Sequence, residues 1–424
     1  MDEATARRIV VLAVQGQLPA GTGFPDDSTD LEASGLVDSM GWVEILVSIE
    51  SHAGLRNFGQ SWSESRPRSI GELMASLQAA ATGEAQEKPS DIARASETGG
   101  TTNLLVGWAY TLGSKRKEIV AVERELNLAA GLLSKGAGIE SVRVARDDED
   151  ELSLGRAAAE TALDTAGIEA GAVDLLVATS ATWLGFPSYS PALHNLLLLR
   201  SDCVALDVGG ACVGLLNALA TANSLLRTSR WQTALVVASE AHSRWQNLLC
   251  GHGEFAGLFG DGACAFVLKS YDEATAAEGL RLGRFFWECD GRSSRLLRVG
   301  LSPNASIQLE FRGEQLGKAA IEELLRILSR LESLSGRKIQ DVDFFALHEP
   351  NPRLVRILAD QIGAPPEKVA LISQASGNLG SVTCGAGLCE GIRRVGGQAS
   401  ESRRPLIFMA AISPGLLGAG TYFY

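Results

Sequence analysis

Three residues with the chemistry of thioester catalysis lie at predicted strand-to-loop boundaries of this 424-residue chain. Cys212 interrupts the segment 204–219, VALDVGGACVGLLNAL, which begins as a buried-strand pattern and resumes as a helical one after a glycine pair. His348 ends another buried-strand pattern, and Asn378 lies in the glycine-flanked loop SGNLGS. A thiolate is a nucleophile, and imidazole and carboxamide N–H groups stabilise a developing oxyanion or enolate. The three residues therefore indicate acyl transfer through a cysteine thioester.

The position of Cys212 predicts a reactive thiol. A tight turn beneath the amides and positive dipole of a starting helix favours the thiolate form. A single cysteine beside glycines is also compatible with simple packing. The catalytic interpretation therefore depends on His348 and Asn378, which occupy matching positions at the ends of other strands.

Strand and helix patterns alternate from Asn103 onward, which predicts an α/β fold. The helix–strand order around DLLVATSA recurs around DFFALH, so we expect two similar halves, about 103–275 and 276–424. The predicted strands include DLLVATSA (174–181), TALVVASEA (233–241), two short strands in 259–270, RLGRFFWECD (281–290), DVDFFALH (341–348) and VALIS (369–373).

The pieces ALDVGGACVGLLNAL, VVASEAHSR, LFGDGACAFVL, HEPNPRLV and SGNLGSVT resemble beta-ketoacyl-carrier-protein synthase III and its thiolase-fold relatives, in family order, over about 101–424. The resemblance implies a thiolase fold, with two five-stranded-sheet units in α-β-α-β-α layers, and a homodimer. It places the family's nucleophile on Cys212 and its histidine and asparagine on His348 and Asn378. It also implies that LFGDGACA is a structural turn and that Glu240 is a structural acid.

The same resemblance implies a decarboxylative Claisen condensation. Cys212 would take an acyl group from an acyl-CoA or acyl-carrier-protein thioester. His348 and Asn378 would then stabilise the enolate that a malonyl-type thioester forms on losing carbon dioxide. Attack of this enolate on the acyl group gives a beta-keto thioester without a metal. The fused architecture described below favours a polyketide or other fatty-acid-like specialised pathway.

One departure from the family pattern leaves other functions open. In AISPGLLGAG (411–420), Pro414 stands at or beside the position where the family supplies a second oxyanion N–H, and proline has no N–H. This turn resembles that of chalcone-synthase-type enzymes. One alternative is therefore an acyltransferase that moves a carrier-bound acyl group to oxygen, nitrogen or sulfur without decarboxylation. Another is a non-catalytic docking or chain-length partner.

The first 82 residues predict a separate domain of four short helices. Helical patterns cover 3–18 and 70–80, and Asp38 and Ser39 begin a third before MGWVEILVSIE. The segment GLVDSMGWVEILVSIE resembles the acyl carrier protein family. That resemblance implies a 4'-phosphopantetheine cofactor on Ser39, attached by a phosphopantetheinyl transferase. Residues 83–102, which contain few large apolar side chains, then predict a flexible linker to the domain at 103–424.

Composition excludes several function classes. The net charge is −12, and residues 1–100 contribute −8 of it through fifteen acidic and seven basic side chains. Such a charge argues against nucleic acid as a partner. Seven cysteines without CxxC pairs predict a reducing compartment. The beginning MDEATARRIV does not fit a signal peptide, and no apolar run reaches membrane-spanning length. We therefore expect a cytoplasmic protein that does not bind membranes.

Overall fold

The chain folds into two units, a smaller helical one and a larger one that contains the β-sheets. The computed structural model describes residues 1–19, 21–55, 58, 67–80, 101–245, 252–272, 279–301, 307–396 and 405–424. One unit contains Met1–Gly99 with Arg312–Ala319, and the other contains Gly100–Phe311 with Ala320–Tyr424. Among the helices of these residues, none has both the length and the apolarity needed to cross a lipid bilayer.

The helices of the described residues are α1 (Glu3–Gln15), α2 (Ser39–Ala53), α3 (Ile70–Ala80), α4 (Ile119–Glu125), α5 (Glu151–Ala166), α6 (Tyr189–Leu196), α7 (Gly214–Thr228), α8 (Gly253–Ala256), α9 (Gly313–Ser335), α10 (Pro352–Ile362), α11 (Ser373–Ser376) and α12 (Val382–Gly396). The strands are β1 (Thr101–Leu112), β2 (Lys115–Glu118), β3 (Ser141–Val144), β4 (Leu175–Thr179), β5 (Val204–Asp207), β6 (Thr233–Ala241), β7 (Asp261–Asp272), β8 (Leu280–Arg281), β9 (Phe286–Cys289), β10 (Leu297–Leu301), β11 (Ile307–Phe311), β12 (Phe344–Leu347), β13 (Ile407–Ser413) and β14 (Leu417–Phe423).

The first unit contains α1, α2 and α3 around a common apolar core. Val10, Trp42 and Leu73, one from each helix, are fully buried there. Asp38 is the N-cap of α2, since its side chain accepts a hydrogen bond from the backbone N–H of Gly41 at 2.7 Å. The described part of residues 1–82 thus contains three helices. A fourth helix between α2 and α3 would fall largely on 59–66, which lie outside the described residues.

Two mixed sheets form the second unit. The larger has the order β5-β4-β6-β7-β1-β8, with β4 parallel to both β5 and β6 and the other pairs antiparallel. The smaller has the order β12-β13-β14-β9, in which only β12 and β13 are parallel. Two further two-stranded antiparallel sheets pair β2 with β3 and β10 with β11.

Helices α7 and α12 form the central layer between the two sheets. Their apolar side chains share one core with residues from both sheets, including Phe266 of β7 and Met409 of β13. The alternation of side chains along β4 explains the layering. Leu175 and Val177 face this central core, whereas Leu176 and Ala178 face a second core beneath α5 and α6. This is the helix–sheet layering that the resemblance predicted.

The two sheets differ in size, although equal five-stranded sheets were expected. Among the described residues, the short β8 extends the first sheet to six strands, and the second sheet has four. The segment predicted as the strand VALIS contributes only a bridge from Val369 to Phe345. It follows the turn Pro366–Lys368 and leads directly into α11, so no room is left for a longer ladder.

Three local predictions also need correction. The stretch 259–270 was expected to form two short strands, but Asp261–Asp272 is a single strand. RLGRFFWECD was expected to be one strand, but its residues divide between β8 in the first sheet and β9 in the second. The predicted linker 83–102 overlaps β1, which begins at Thr101 because it pairs with β7 from that residue on. The linker residues before it lie outside the described part of the chain.

Candidate active site

Cys212 lies in a turn whose backbone needs glycine. The turn Ala211–Val213 joins the end of β5 to α7, and its first residue has a φ of 48°. Gly210, just before it, has a φ of 140°, which side chains rarely permit. A Cβ there would also lie 2.5 Å from Nδ2 of Asn217, which donates a hydrogen bond to the carbonyl of the residue before Gly210 at 3.0 Å. Asn217 and the glycine pair therefore fix the turn that presents the thiol at the start of α7.

The thiol of Cys212 is protonated at rest, in contrast to the thiolate that the sequence predicted. Burial, with a smaller contribution from the nearby carboxyl of Glu240, raises its pKa to about 12. Loss of water around the sulfur outweighs the favourable field of the helix start. The residue as a whole is only partly buried, so Cys212 is not completely enclosed by the protein.

His348 follows the last residue of β12, where the strand ends in the interior. Its backbone N–H donates to the carbonyl of Ala410 in β13 at 2.8 Å. The residue is 3% exposed, and burial, with a smaller contribution from His242, lowers the pKa of the imidazole to about 4. The ring is therefore neutral at pH 7. Its buried Nδ1 makes no hydrogen bond to a described residue, so nothing opposes the tautomer in which Nε2 carries the proton.

The side-chain amide of Asn378 is oriented by its own loop. Its Oδ1 accepts a hydrogen bond from the backbone N–H of Gly380 at 2.9 Å and lies 3.5 Å from the hydroxyl of Thr383. Because oxygen is the atom held by these donors, Nδ2 points the other way. Among the described residues Nδ2 has no hydrogen-bond partner, so its N–H groups can donate to a substrate carbonyl.

Contacts within the second unit connect the three residues. The hairpin of β13 and β14 contacts the Cys212 turn, and β13 also binds the backbone of His348. Burial raises the pKa of Cys384, six residues after Asn378, and the proximity of Cys212 contributes a smaller rise. The structure thus places the predicted nucleophile and the two predicted donors on neighbouring elements. Ser39 lies in the first unit.

Known proteins identify the family. The protein-family model of 3-oxoacyl-[acyl-carrier-protein] synthase III matches residues 206–291. The family model of the C-terminal region of this enzyme matches residues 333–423. Beta-ketoacyl-[acyl-carrier-protein] synthase III of Erythrobacter litoralis is 32% identical over 253 residues, which cover 58% of this chain and 76% of the relative. The enzyme of the same name from Sodalis glossinidius is 33% identical over 60% of this chain and 80% of its own length. The chain belongs to the beta-ketoacyl-[acyl-carrier-protein] synthase III family.

Solved structures of a synthase III and of OleA show the same fold. The synthase III of Pseudomonas aeruginosa superposes with a TM-score of 0.67 at 24% identity, covering 76% of this chain and 97% of that one. OleA of Xanthomonas campestris gives a TM-score of 0.67 at 18% identity, covering 76% and 98%. The thiolase fold of the second unit is therefore confirmed. The protein is therefore an acyltransferase, and the comparisons do not support the non-catalytic alternative.

Two buried carboxyl groups hold the loops of this synthase III site. Glu240 accepts hydrogen bonds from the backbone N–H groups of Ala181 and Thr182, and from the hydroxyl of Ser381 at 2.6 Å. Burial raises the pKa of Glu240 to about 7. These contacts agree with the structural role predicted for Glu240, because they join the loop after β4 to the loop of Asn378.

Glu349 is the second of these carboxyl groups, and the sequence interpretation missed it. It accepts hydrogen bonds from the backbone N–H groups of Ile372 and Ser373 at 2.9 and 2.8 Å, and from the hydroxyl of Ser373. Burial raises its pKa to about 7. Glu349, which directly follows His348, therefore ties the segment of this histidine to the start of α11. The sequence signal was an acid next to the candidate histidine within an otherwise apolar pattern.

LFGDGACA was expected to form a structural turn, but from Asp261 onward it is the start of the single strand β7. Asp261, at the start of β7, accepts hydrogen bonds from the backbone N–H groups of Ala145 at 2.6 Å and Ser243 at 2.9 Å. Its carboxyl thus joins three segments of the chain. His242, to which the sequence interpretation assigned no role, follows β6 next to Ser243.

Pro414 begins the exposed turn between β13 and β14. The strands pair up to Ser413 and Leu417, and Gly415 and Leu416 complete the turn with φ values of 84° and 45°. Since this hairpin contacts the Cys212 turn, the missing N–H of Pro414 lies in an element that borders the nucleophile. The loop of the β13–β14 hairpin therefore contains a proline where the family pattern predicts a backbone N–H donor.

Proposed function

We propose that this synthase III performs a decarboxylative Claisen condensation between an acyl group on Cys212 and a malonyl-type thioester. The orientation of the Asn378 amide carries this proposal. Its oxygen is bound by Gly380, which leaves an N–H donor and no competing acceptor for a thioester carbonyl. The names of the curated relatives point to carrier-protein thioesters, so we expect acyl-CoA or acyl-carrier-protein donors.

The first half of the reaction is transfer of the acyl group to Cys212. The sulfur attacks the carbonyl carbon of the donor thioester, the carbon–sulfur bond of the donor breaks, and the proton of the Cys212 thiol passes to the departing thiolate. The thiol is protonated at rest, so this proton must move during the step. The amide groups at the start of α7 stabilise the oxyanion that forms beside them.

The second half needs hydrogen-bond donors more than a base. The neutral imidazole of His348 and the Nδ2 of Asn378 donate to the carbonyl oxygen of the malonyl-type thioester. Carbon dioxide leaves with its bonding electrons left on the adjacent carbon, and the donors stabilise the resulting enolate. The enolate carbon attacks the acyl carbonyl, and the Cys212 thiolate leaves. A buried, neutral histidine suits this role, because a charged one would trap the carboxylate of the substrate.

Intact-protein mass spectrometry combined with a carbon dioxide assay tests this proposal. Incubation with acyl thioesters should add one acyl mass, which Cys212→Ala should abolish and Cys289→Ala, at an exposed cysteine, should retain. The acylated protein should then release carbon dioxide from a malonyl thioester with formation of a beta-keto product. Ester or amide formation without carbon dioxide release would contradict the condensation.

We also propose that the first unit is a carrier domain with 4'-phosphopantetheine on Ser39. Ser39 is the first residue of α2, and Asp38 caps that helix, which agrees with the Asp-Ser motif. When bound, the cofactor supplies a thiol for holding an acyl group. Treatment with a phosphopantetheinyl transferase and coenzyme A should add one phosphopantetheine mass. Ser39→Ala should prevent this addition and Ser51→Ala, on the same helix, should not.

A second candidate function is supported by Pro414. A site with fewer oxyanion donors than the family pattern is compatible with transfer of the acyl group to oxygen, nitrogen or sulfur. The carbon dioxide assay separates the two functions. We further expect a cytoplasmic homodimer in a polyketide or fatty-acid-like pathway, with its stoichiometry measurable by light scattering.

A further inference from the structure

His242 is a second histidine beside the site, and its ring is held in one orientation. It follows the last residue of β6, and its Nδ1 lies 3.1 Å from the carbonyl oxygen of Gly260. A carbonyl only accepts hydrogen bonds, so Nδ1 must carry the proton. The ring also stacks on Phe259, with centroids 4.5 Å apart and planes inclined by 21°.

The other ring nitrogen of His242 is a bare acceptor. Burial lowers the pKa of the ring to about 4, so at pH 7 it is neutral and Nε2 has a free lone pair. Among the residues that the structure describes, none hydrogen-bonds to Nε2. The residue is only partly buried, so this nitrogen is not closed off within a packed core.

The free edge of the ring faces the loop of Asn378. A Cβ on Gly380 would lie 2.9 Å from Cε1 and 3.2 Å from Nε2 of His242. Gly380 is the residue that orients the Asn378 amide. Phe259, beneath the ring, forms a β-bridge with Asn378, and His242 also influences the pKa of His348. The edge of the ring that carries Nε2 therefore lies against the loop that orients Asn378, and the ring is close enough to His348 to influence its pKa.

We propose that His242 is a specificity-determining residue whose Nε2 accepts a hydrogen bond from a hydroxyl group of the substrate. This inference rests on the proposed function. His348 and Asn378 present donors, which match a thioester carbonyl, whereas His242 presents an acceptor, which a carbonyl or an alkyl chain cannot satisfy. An alkyl group at this position would desolvate the lone pair without replacing its hydrogen bond, and a hydroxyl group would satisfy it. The hydroxyl could belong to the acyl group on Cys212 or to the extender.

Pairs of substrates that differ by one hydroxyl group test the inference and distinguish the two sources. In the acyl arm, 3-hydroxybutyryl- and butyryl-coenzyme A are compared for acylation of Cys212. In the extender arm, hydroxymalonyl and malonyl thioesters are compared on the butyryl-loaded enzyme. We expect a preference of roughly 5- to 10-fold in kcat/KM for the hydroxylated partner in one arm. His242→Leu should remove or reverse this preference, and His194→Leu should retain it.

The ratio of the two substrates separates recognition from a purely structural role. Structural damage by His242→Leu would lower both rates together and leave the ratio unchanged. No preference in either arm, or a preference that survives His242→Leu, would overturn the inference. If Cys212 accepts no acyl group at all, the proposed function fails instead. In that case the affinities of the two thioesters of each pair are measured with Cys212→Ala. The inference requires that this variant binds the hydroxylated thioester more tightly. It also requires that the double variant Cys212→Ala with His242→Leu loses this preference.

Discussion

Single atoms decide what the site of this synthase can do. Asn378 could present either its oxygen or its nitrogen to a substrate, and the two choices have opposite chemistry. The backbone N–H of Gly380 binds Oδ1 and so selects the donor. In the same way, the carbonyl of Gly260 selects the proton position of His242 and leaves an acceptor. Backbone groups of the neighbouring loops therefore set the hydrogen-bonding character of the site.

Asn378→Asp tests the donor role of the amide directly. One carboxylate oxygen can still accept from Gly380, but the other offers a negative charge where Nδ2 offered an N–H. We expect malonyl decarboxylation to fall by roughly 10²–10³-fold, as for loss of an oxyanion donor. Acylation of Cys212 should change by no more than a few-fold. Asn195→Asp, at an exposed site on α6, is the control, and equal decarboxylation by both variants would contradict the role.

The turn before α7 allows a prediction with a closely matched control. Gly210→Ala introduces a Cβ where φ is 140° and Asn217 Nδ2 would be 2.5 Å away, whereas nothing lies within 4 Å of a Cβ on Gly209. We expect Gly210→Ala to destabilise the second unit by about 1–3 kcal/mol and to slow acylation of Cys212. Gly209→Ala should have little effect on either. Calorimetry and acyl-adduct mass spectrometry measure the two quantities, and equal unfolding temperatures for both variants would refute the role of the turn.

The Glu349 carboxyl, which links the His348 segment to α11, should make the free energy of unfolding depend on pH. The pKa of Glu349 is about 7 in the folded chain against 4.5 in model compounds, so between these values the folded state holds a proton that the unfolded state releases. Its contribution is therefore fully present below about pH 4.5 and is lost as pH rises through 7. His242 and His348, with lowered pKa values, act in the opposite direction between about 4 and 6.5.

Glu349→Gln isolates the carboxyl from the histidines. Relative to this variant, the natural chain should lose roughly 2–3 kcal/mol of stability between pH 5 and pH 7.5. Denaturant unfolding of the second unit at both pH values measures the difference. A stability difference between the two chains that does not vary with pH would show that the Glu349 carboxyl does not titrate in this range.

The fusion of a predicted carrier with a synthase should make acyl delivery intramolecular. The sequence predicts a flexible linker over 83–102, and a tether of that length gives effective concentrations near the millimolar range. Acyl transfer from Ser39-bound thioester to Cys212 should therefore be independent of protein concentration at micromolar levels. A mixture of Ser39→Ala and Cys212→Ala chains should transfer at least about 10-fold more slowly at 1 μM and speed up with concentration. Equal rates in the mixture and the natural chain would exclude delivery within one chain.

The sequence was sufficient to predict thioester chemistry at Cys212, His348 and Asn378, because local patterns mark these positions. Cys212 and His348 follow strands as expected, whereas Asn378 follows α11. Glycines at 209 and 210 break the strand before Cys212, and apolar runs lead to His348 and Asn378. The same reasoning located α2 behind Asp38, since an N-cap is a local feature. The family, the α/β layers and the acyltransferase class followed from these motifs. The residue roles and the carrier domain stay predictions.

Only the tertiary structure decided properties that depend on neighbours distant in sequence. The charge state of Cys212 is one, because burial and Glu240 outweigh the helix dipole. The unequal sheets are another, because strand pairing gives β8 a partner and leaves Val369 only a bridge. The third is the placement of the His242 ring, which lies against Gly380, 138 positions further along the chain. The periodicity and spacing of residues in the sequence do not predict such contacts, because the contacts form only when distant segments of the chain pack together.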